Sequence, residues 1–472
     1  MEQVSAWNKY SEEEIKKVFE YADGYKAFLS ENKTERECVD FFAKEAAKAG
    51  YENLDDVIST GKKLVAGSKV YKINMNKNIV LFNIGSEPIE KGMNILGAHI
   101  DSPRLDVKQN PLYEEGDLAY FDTHYYGGIK KYQWVTMPLA LHGVIVKKDG
   151  ETIIVNIGEA EDDPVFFVSD LLPHLASDQV DKKASTFIGG EALDIIVGNK
   201  PLTINKDDES KDDDSKASGK NKVTDNILKI LNEKYGIEEA DFNSAEIEVV
   251  PAGKAKDAGF DRSLILGYGH DDKVCAYPSF TALIAKENVE RTSCCILVDK
   301  EEIGSVGATG AQSKFFENTV AEVINLIEDY SELKLKRCLA NSNFLSSDVG
   351  AGYDPFFADA FDKKNSAYLG RGMIIKKFTG ARGKSGANDA NAEYIAKIRK
   401  VMDENNVSYH LTELGKVDKG GGGTIAYILA LYGMNVIDCG VPVLSMHAPW
   451  EAISKADIYE VNEGYKAFLS LL

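Results

Sequence analysis

At 472 residues, 44% of them hydrophobic and 28% charged, the chain has enough apolar material for two or more cores, which excludes a disordered or fibrous protein. Its 75 Asp and Glu against 55 Lys and Arg give a formal charge of -20, so the average surface repels phosphate backbones and anionic head groups, and neither nucleic acid nor a membrane is an expected partner. The opening MEQVSAWNKYSEEEIKKVF has no basic start or continuous apolar stretch, and no later segment reaches the roughly 18 uncharged residues of a membrane span, so a cytoplasmic location is expected. Cys38, Cys275, Cys294, Cys295, Cys338 and Cys439 include no CxxC pair, which suits a reducing compartment and leaves His and carboxylates to hold any metal.

Ser11 with Glu14 forms a capping-box pattern, and Ile15, Val18, Phe19, Ala22, Tyr25 and Leu29 follow at helical spacing, which predicts an opening helix. A second helix is predicted from about Thr34 to Ala49, with Cys38, Phe42 and Ala46 on one face, and Ile79–Ile84 and Asn94–Ile100 have the apolar runs of strands. From about Leu105 to Val250 the pattern shifts to short alternating runs such as HGVIVKKDGETIIVNIG, where Asp149-Gly150 suits a hairpin turn. Within this stretch Lys206–Lys222 carries charge, serine and glycine but no large apolar residue, so it cannot repay the entropy of ordering and is predicted to be a mobile acidic loop. After Pro251, strands at Ser263–Leu266, Cys294–Val298 and Asn435–Val443 alternate with helical stretches around Pro278–Ala285 and Ala390–Met402. The expected fold is α/β, with a domain of residues 1–105 and 252–472 interrupted by a β-rich insertion of residues 106–251.

Five short segments could carry chemistry. His99 and Asp101, where the strand NILGA runs out, would share one face of an extended chain, so the imidazole could ligate a metal while the carboxylate holds its other N–H. A structural hydrogen-bonded pair would look the same. Asp271-Asp272-Lys273 follows the strand-like SLILGYG and precedes a helix start at Val274; a carboxylate there could bridge two cations, or sit solvated at a helix N-terminus. In Asp299-Lys300-Glu301-Glu302, after Cys294–Val298, two adjacent carboxylates repel each other unless cations or a proton divide their roles, one ligating metal and the other acting as general base. Asp348 in Ser346-Ser347-Asp348 and His447 in Ser445-Met446-His447 complete the set, although a lone His is more often a packed core residue. Together these side chains sit mostly at strand ends of an α/β sheet, where such folds place their sites, and they suffice for a paired zinc site with positions open to water and substrate.

In order and spacing, GAHIDSPRLDVK, DDKVCA, VDKEEIGS, SSDVG and VPVLSMHAPWE resemble the aspartyl aminopeptidase and vacuolar aminopeptidase I family of zinc metallopeptidases, and the resemblance spans nearly the whole chain, including KGGGGTIA before the last strand. It implies a mixed-sheet zinc-exopeptidase catalytic domain with an inserted β-rich dimerisation domain. It also implies two zinc ions per subunit, with cobalt or manganese as substitutes: His99, Asp271 and Asp348 on one, and Asp271, Glu302 and His447 on the other. Glu301 becomes the general base and Asp101 the orienter of His99. His174, in the segment Asp170–Ala176, is implied to reach the active site of a neighbouring subunit and to hydrogen-bond the developing oxyanion, while Lys376 matches a basic substrate-binding position. A homo-oligomer built from dimers, up to a tetrahedral dodecamer, follows from the same likeness. Two departures matter: Ala351 and Asp354 stand where aspartyl aminopeptidases usually carry histidines, and FTGARGKSGAND differs from the family stretch, so an acidic N-terminal preference does not carry over.

The expected activity is removal of N-terminal residues from peptides with a free N-terminus by a water activated between two metals. A carboxypeptidase or amide deacylase on a related two-metal fold is the alternative within enzymes, and a non-enzymatic acidic oligomeric scaffold the alternative outside them. The adjacent Glu301 and Glu302 weigh against the scaffold, which has no use for clashing carboxylates.

Overall fold

Ser11 Oγ accepts from Glu14 N–H and the Glu14 carboxylate accepts from Ser11 N–H, closing the predicted capping box at the head of the helix Glu12–Glu31. Val18, Ala22, Tyr25 and Leu29 form its buried face, whereas Ile15 of the predicted stripe is exposed. Thr34 and Glu37 repeat the device at the helix Glu35–Lys48. The computed structural model describes residues 4–203 and 222–472. The acidic run Lys206–Lys222 therefore lies outside the described residues, except for Lys222.

The chain folds as two compact units, one ending at Ser102 and resuming at Lys254–Leu472, the other Pro103–Gly253. Among the described residues the first unit carries a nine-stranded sheet in the spatial order Glu52–Asn53, Lys69–Asn74, Asn78–Asn83, Ser293–Val298, Asn94–His99, Asn343–Ser347, Asn435–Gly440, Met373–Lys376 and Tyr409–Thr412. Ser293–Val298, Asn94–His99, Asn343–Ser347 and Asn435–Gly440 run parallel to one another. Buried parallel strands favour apolar side chains on both faces, as in the runs of Ser293–Val298 and Asn94–His99. Alternate residues feed two cores: Ile79, Leu81, Leu96 and Ala98 pack with Phe42, Phe280 and Tyr465, while Val80, Phe82 and Ile95 pack on the other face with Val320, Ile324 and Leu339.

Two predicted elements differ from those found. The strand expected over Asn435–Val443 leaves the sheet after Gly440, as Pro442 has no N–H to continue the ladder; Gly440 itself admits the Asp348 carbonyl oxygen to within 2.0 Å of where a Cβ would stand. Pro442–Val443 pairs instead with Gly350–Ala351 in a sheet of its own. The helix expected at Pro278–Ala285 belongs to a longer one, His270–Ile284, in which Asp271 and Asp272 depart from helical φ/ψ.

The second unit contains a six-stranded sheet in the order Thr152–Ile157, Leu139–Val146, Ala245–Pro251, Arg104–Glu115, Leu118–Tyr126 and Ile195–Gly198, with every pairing antiparallel. The predicted hairpin joins Leu139–Val146 to Thr152–Ile157, with Gly150 at φ +92° in its turn. Pattern reading missed the helix Val223–Tyr235, which stops at Gly236 in a left-handed conformation.

Candidate metal centre

The parallel strands of the first unit deliver the chemistry at their carboxyl ends. His99 is the last residue of its strand and pairs with Val298, after which the neighbouring strand runs into Asp299 and the turn Glu301–Ile303. Asp348 follows Asn343–Ser347, Asp271 opens His270–Ile284, and His447 stands between Pro442–Val443 and Glu451–Ser454. His99 Nε2 lies 3.2 Å from Asp271 Oδ1, and His447 Nε2 lies 3.2 Å from Asp271 Oδ2 and 3.5 Å from Glu302 Oε1. The ligand atoms of His99, Asp271 and Asp348 lie within 4.8 Å of one another, as do those of Asp271, Glu302 and His447; His99, Glu301 and Glu302 form a third, overlapping group.

Burial decides between a cation site and a solvated acidic turn. Asp271 is 3% exposed and Asp272 fully buried, so the solvated helix N-terminus is excluded. Asp271 Oδ1 and Glu302 Oε1 have no hydrogen-bond partner, and unpaired buried carboxylate oxygens are costly unless a cation or proton meets them. Nitrogen and oxygen donors of this kind suit zinc. The residues present therefore fit the metal.

Asp101 organises the surroundings. His99 Nδ1 sits 3.2 Å from Asp101 Oδ1 and 3.0 Å from its carbonyl oxygen, so Nδ1–H is held by Asp101 and Nε2, facing Asp271, is the nitrogen left to ligate a metal. The two carboxylate oxygens of Asp101 also accept from the N–H groups of Glu301 and Glu302, each at 3.2 Å. Burial pushes the Glu301 carboxyl up to about 8 against the pull of His99, with Asp348 and Asp101 adding to the rise. Divalent cations would pull it back down, since their charge favours the carboxylate.

A family model described as aminopeptidase I zinc metalloprotease (M18) matches residues 28–469. The chain belongs to the M18 family of zinc aminopeptidases. M18 family aminopeptidase 1 of Clostridium acetobutylicum is 59% identical over 469 residues, covering 99% of this chain and 98% of that one. The crystal structure of the M18 aminopeptidase from Thermotoga maritima superposes with a TM-score of 0.91 at 42% identity, covering 100% of both chains. The S. cerevisiae mApe1 dodecamer shares the fold, with a TM-score of 0.74 at 21% identity over 95% of this chain and 96% of that one. Family membership removes the carboxypeptidase, deacylase and scaffold alternatives: this is a metal-dependent aminopeptidase.

Lys376 was expected to contact substrate; it is 4% exposed, and its Nζ donates to the carbonyl oxygens of Asp348 at 3.3 Å and Val349 at 3.1 Å, so its charge is engaged beneath the Asp348 turn. His174 belongs to the second unit, on the exposed turn Pro173–Leu175 between exposed Leu172 and Leu175. Conversely, sequence patterning did not single out Ser102, Lys273 or Glu451. Lys273 Nζ donates to Ser102 Oγ at 2.6 Å, and Ser102 Oγ donates to the Asp271 carbonyl at 2.7 Å, so a buried cation and a hydroxyl steady the main chain at Asp271. Asp354, at one of the departures from the aspartyl pattern, caps the turn Pro355–Ala360 by accepting from Phe356 N–H.

Proposed function

We propose that this M18 aminopeptidase holds two zinc ions per subunit about Asp271, with His99 and Asp348 completing one position and Glu302 and His447 the other. The observation that carries the reading is that the two oxygens of Asp271 each lie 3.2 Å from a different histidine. Cobalt or manganese suits the same donors, because ligand type separates these ions poorly. When bound, such a pair lowers the pKa of water and polarises a peptide carbonyl.

Glu301 acts as general base in this proposal. Its side chain is 18% exposed, with Oε2 3.8 Å from His99 Nε2, so it can meet a water that the deeper Glu302, 3% exposed, cannot. Glu301 takes the water's proton and returns it to the leaving amine. Asp101 keeps the His99 tautomer and the Glu301–Glu302 main chain in register with that transfer. Action on free N-termini would follow from an open metal position taking the α-amino group of the substrate. Lys376 is proposed as the basic substrate-binding position of the family, set beneath the Asp348 turn that it supports.

The assembly is proposed to be a homo-oligomer built from dimers through the second unit, up to a tetrahedral dodecamer, in keeping with the dodecamer of the yeast relative. His174 is proposed to act in a neighbouring subunit's site. A cytoplasmic location is proposed from the six cysteines, all free and buried.

Two substitutions test the division of labour. Glu301→Gln is expected to keep wild-type zinc content while turnover falls by a factor on the order of a hundred or more, because a base is lost and no ligand is. Glu302→Gln is expected to lose zinc. Metal analysis alongside turnover decides it: zinc loss from the Glu301 variant with retention in the Glu302 variant would show the roles reversed.

A further inference from the structure

Glu451 is the first residue of the strand Glu451–Ser454 and is 1% exposed. Main-chain ladders fix its position on two sides. It stands opposite Gly267 in the antiparallel pairing with Leu264–Gly267, the strand that leads into Asp271, and the next residue, Ala452, exchanges backbone hydrogen bonds with Leu444, in the segment that leads into His447. From this point the carboxylate spans both loops: Oε2 accepts from Asp271 N–H at 3.0 Å and Oε1 accepts from His447 N–H at 2.7 Å. His447 has φ +65° and Ser445 φ +59°, a left-handed backbone that non-glycine residues keep only where surrounding contacts over-determine it. The arrangement matches what Asp101 does for Glu301 and Glu302 on the other side of the cluster.

We propose that Glu451 is a positioning residue that clamps the main chains of Asp271 and His447 together, setting the distance between their ligand atoms and so the zinc affinity of the position they share with Glu302. The inference rests on the two-zinc reading above. A carboxylate with both oxygens accepting from N–H groups ties together two segments far apart in sequence, at Asp271 and at His447. The left-handed backbone at Ser445 and His447 makes the 3.2 Å approach of His447 Nε2 to Asp271 Oδ2 sensitive to loss of this tie. The other zinc position, His99 with Asp348, draws only Asp271 from this clamp and is affected less.

The experiment titrates zinc into chelated full-length enzyme against a chromophoric competitor, for the wild type, Glu451→Ala and Glu451→Gln, with thermal midpoints of the metal-free proteins measured in parallel. Outer groups that orient ligands typically change metal affinity by about 10–100-fold, so Glu451→Ala is expected to weaken one of two sites by that factor and leave the other near wild type. Glu451→Gln keeps one acceptor but turns an amide N–H towards a backbone N–H, and is expected to fall between the two. It also decides the matter if the alanine variant does not fold. Equal affinities at both sites in wild type and the glutamine variant would overturn the proposal. A wild type that binds no zinc would overturn the two-zinc reading and this inference with it, whereas two tight sites unchanged by either substitution would overturn the inference alone.

Discussion

Lys376 carries a charge into a nearly waterless place, and only its surroundings make that tolerable. Burial works against the ammonium, but the carboxylates of Asp348 and Asp438 outweigh it and hold its pKa above the ordinary value. Asp438 in turn accepts from Thr424 Oγ1 at 2.6 Å and has a second, unpartnered oxygen, so it too depends on the nearby cation. Lys376→Met keeps the length of the side chain and removes its charge, leaving two buried carboxylates without their counter-charge. Losing this through-space compensation destabilises both buried carboxylates. The variant's metal-free form is expected to unfold at a lower temperature, with zinc restoring part of the loss because a cation near Asp348 again neutralises that carboxylate. A substrate contact predicts something else: KM rising for particular N-terminal residues while the metal-free thermal midpoint stays at the wild-type value, a result that would return Lys376 to the pocket wall.

At the level of elements, the edge strand Tyr409–Thr412 holds a pH-sensitive contact remote from the metal ligands. His410 is 3% exposed, and its Nε2 accepts from Tyr368 N–H at 3.0 Å, which requires the neutral ring. Burial, with Arg371 adding to it, lowers its pKa to about 4, whereas an unfolded histidine titrates near 6.5. Between those values the unfolded chain binds more protons, so stability from this group is complete above about pH 6.5 and is lost as pH falls towards 4. The loss amounts to roughly 3 kcal/mol. His410→Gln keeps an acceptor and removes the titration, so the stability difference between about pH 7.5 and about pH 4.5 is expected to shrink by that amount relative to wild type. Equal acid sensitivity of the two proteins would rule the contact out as the cause. Such partners also mark where the sequence stops being legible. The strand ends bearing His99 and Glu301 follow continuous apolar runs, and the caps at Ser11 and Thr34 are local patterns, whereas Asn343–Ser347 ahead of Asp348 has only Phe344 and Leu345 as apolar residues and is not predicted as a strand. The need for glycine at position 440 depends on the Asp348 carbonyl, distant in sequence, and the role of Glu451 depends on Asp271, 180 residues away; neither leaves a local pattern. The helix Val223–Tyr235 begins just after the charged run, whose composition masks its start.

For the whole molecule, the decisive matter is what the second unit contributes beyond its own sheet. Around His174 it exposes Leu171, Leu172, Leu175 and Val180, apolar residues that gain nothing from water and suit burial against another subunit. A histidine carried on such a turn could supply an N–H to the oxygen that gains charge as the carbonyl is attacked, and donors aimed at developing charge are worth about 2.7–4 kcal/mol of barrier. His174→Ala is therefore expected to fold, bind zinc and assemble as the wild type does, yet lose activity by roughly a hundredfold to a thousandfold. The trans arrangement makes a sharper demand. Mixed under conditions that exchange subunits, the inactive His174→Ala and Glu301→Gln proteins are expected to regain part of the activity, because some sites then combine an intact Glu301 with an intact His174 from the next chain. Native mass spectrometry of the mixture verifies the exchange. With exchange verified, an absence of regained activity would mean that His174 serves its own subunit or has no part in the reaction, since each hybrid assembly holds functional copies of both residues in different chains.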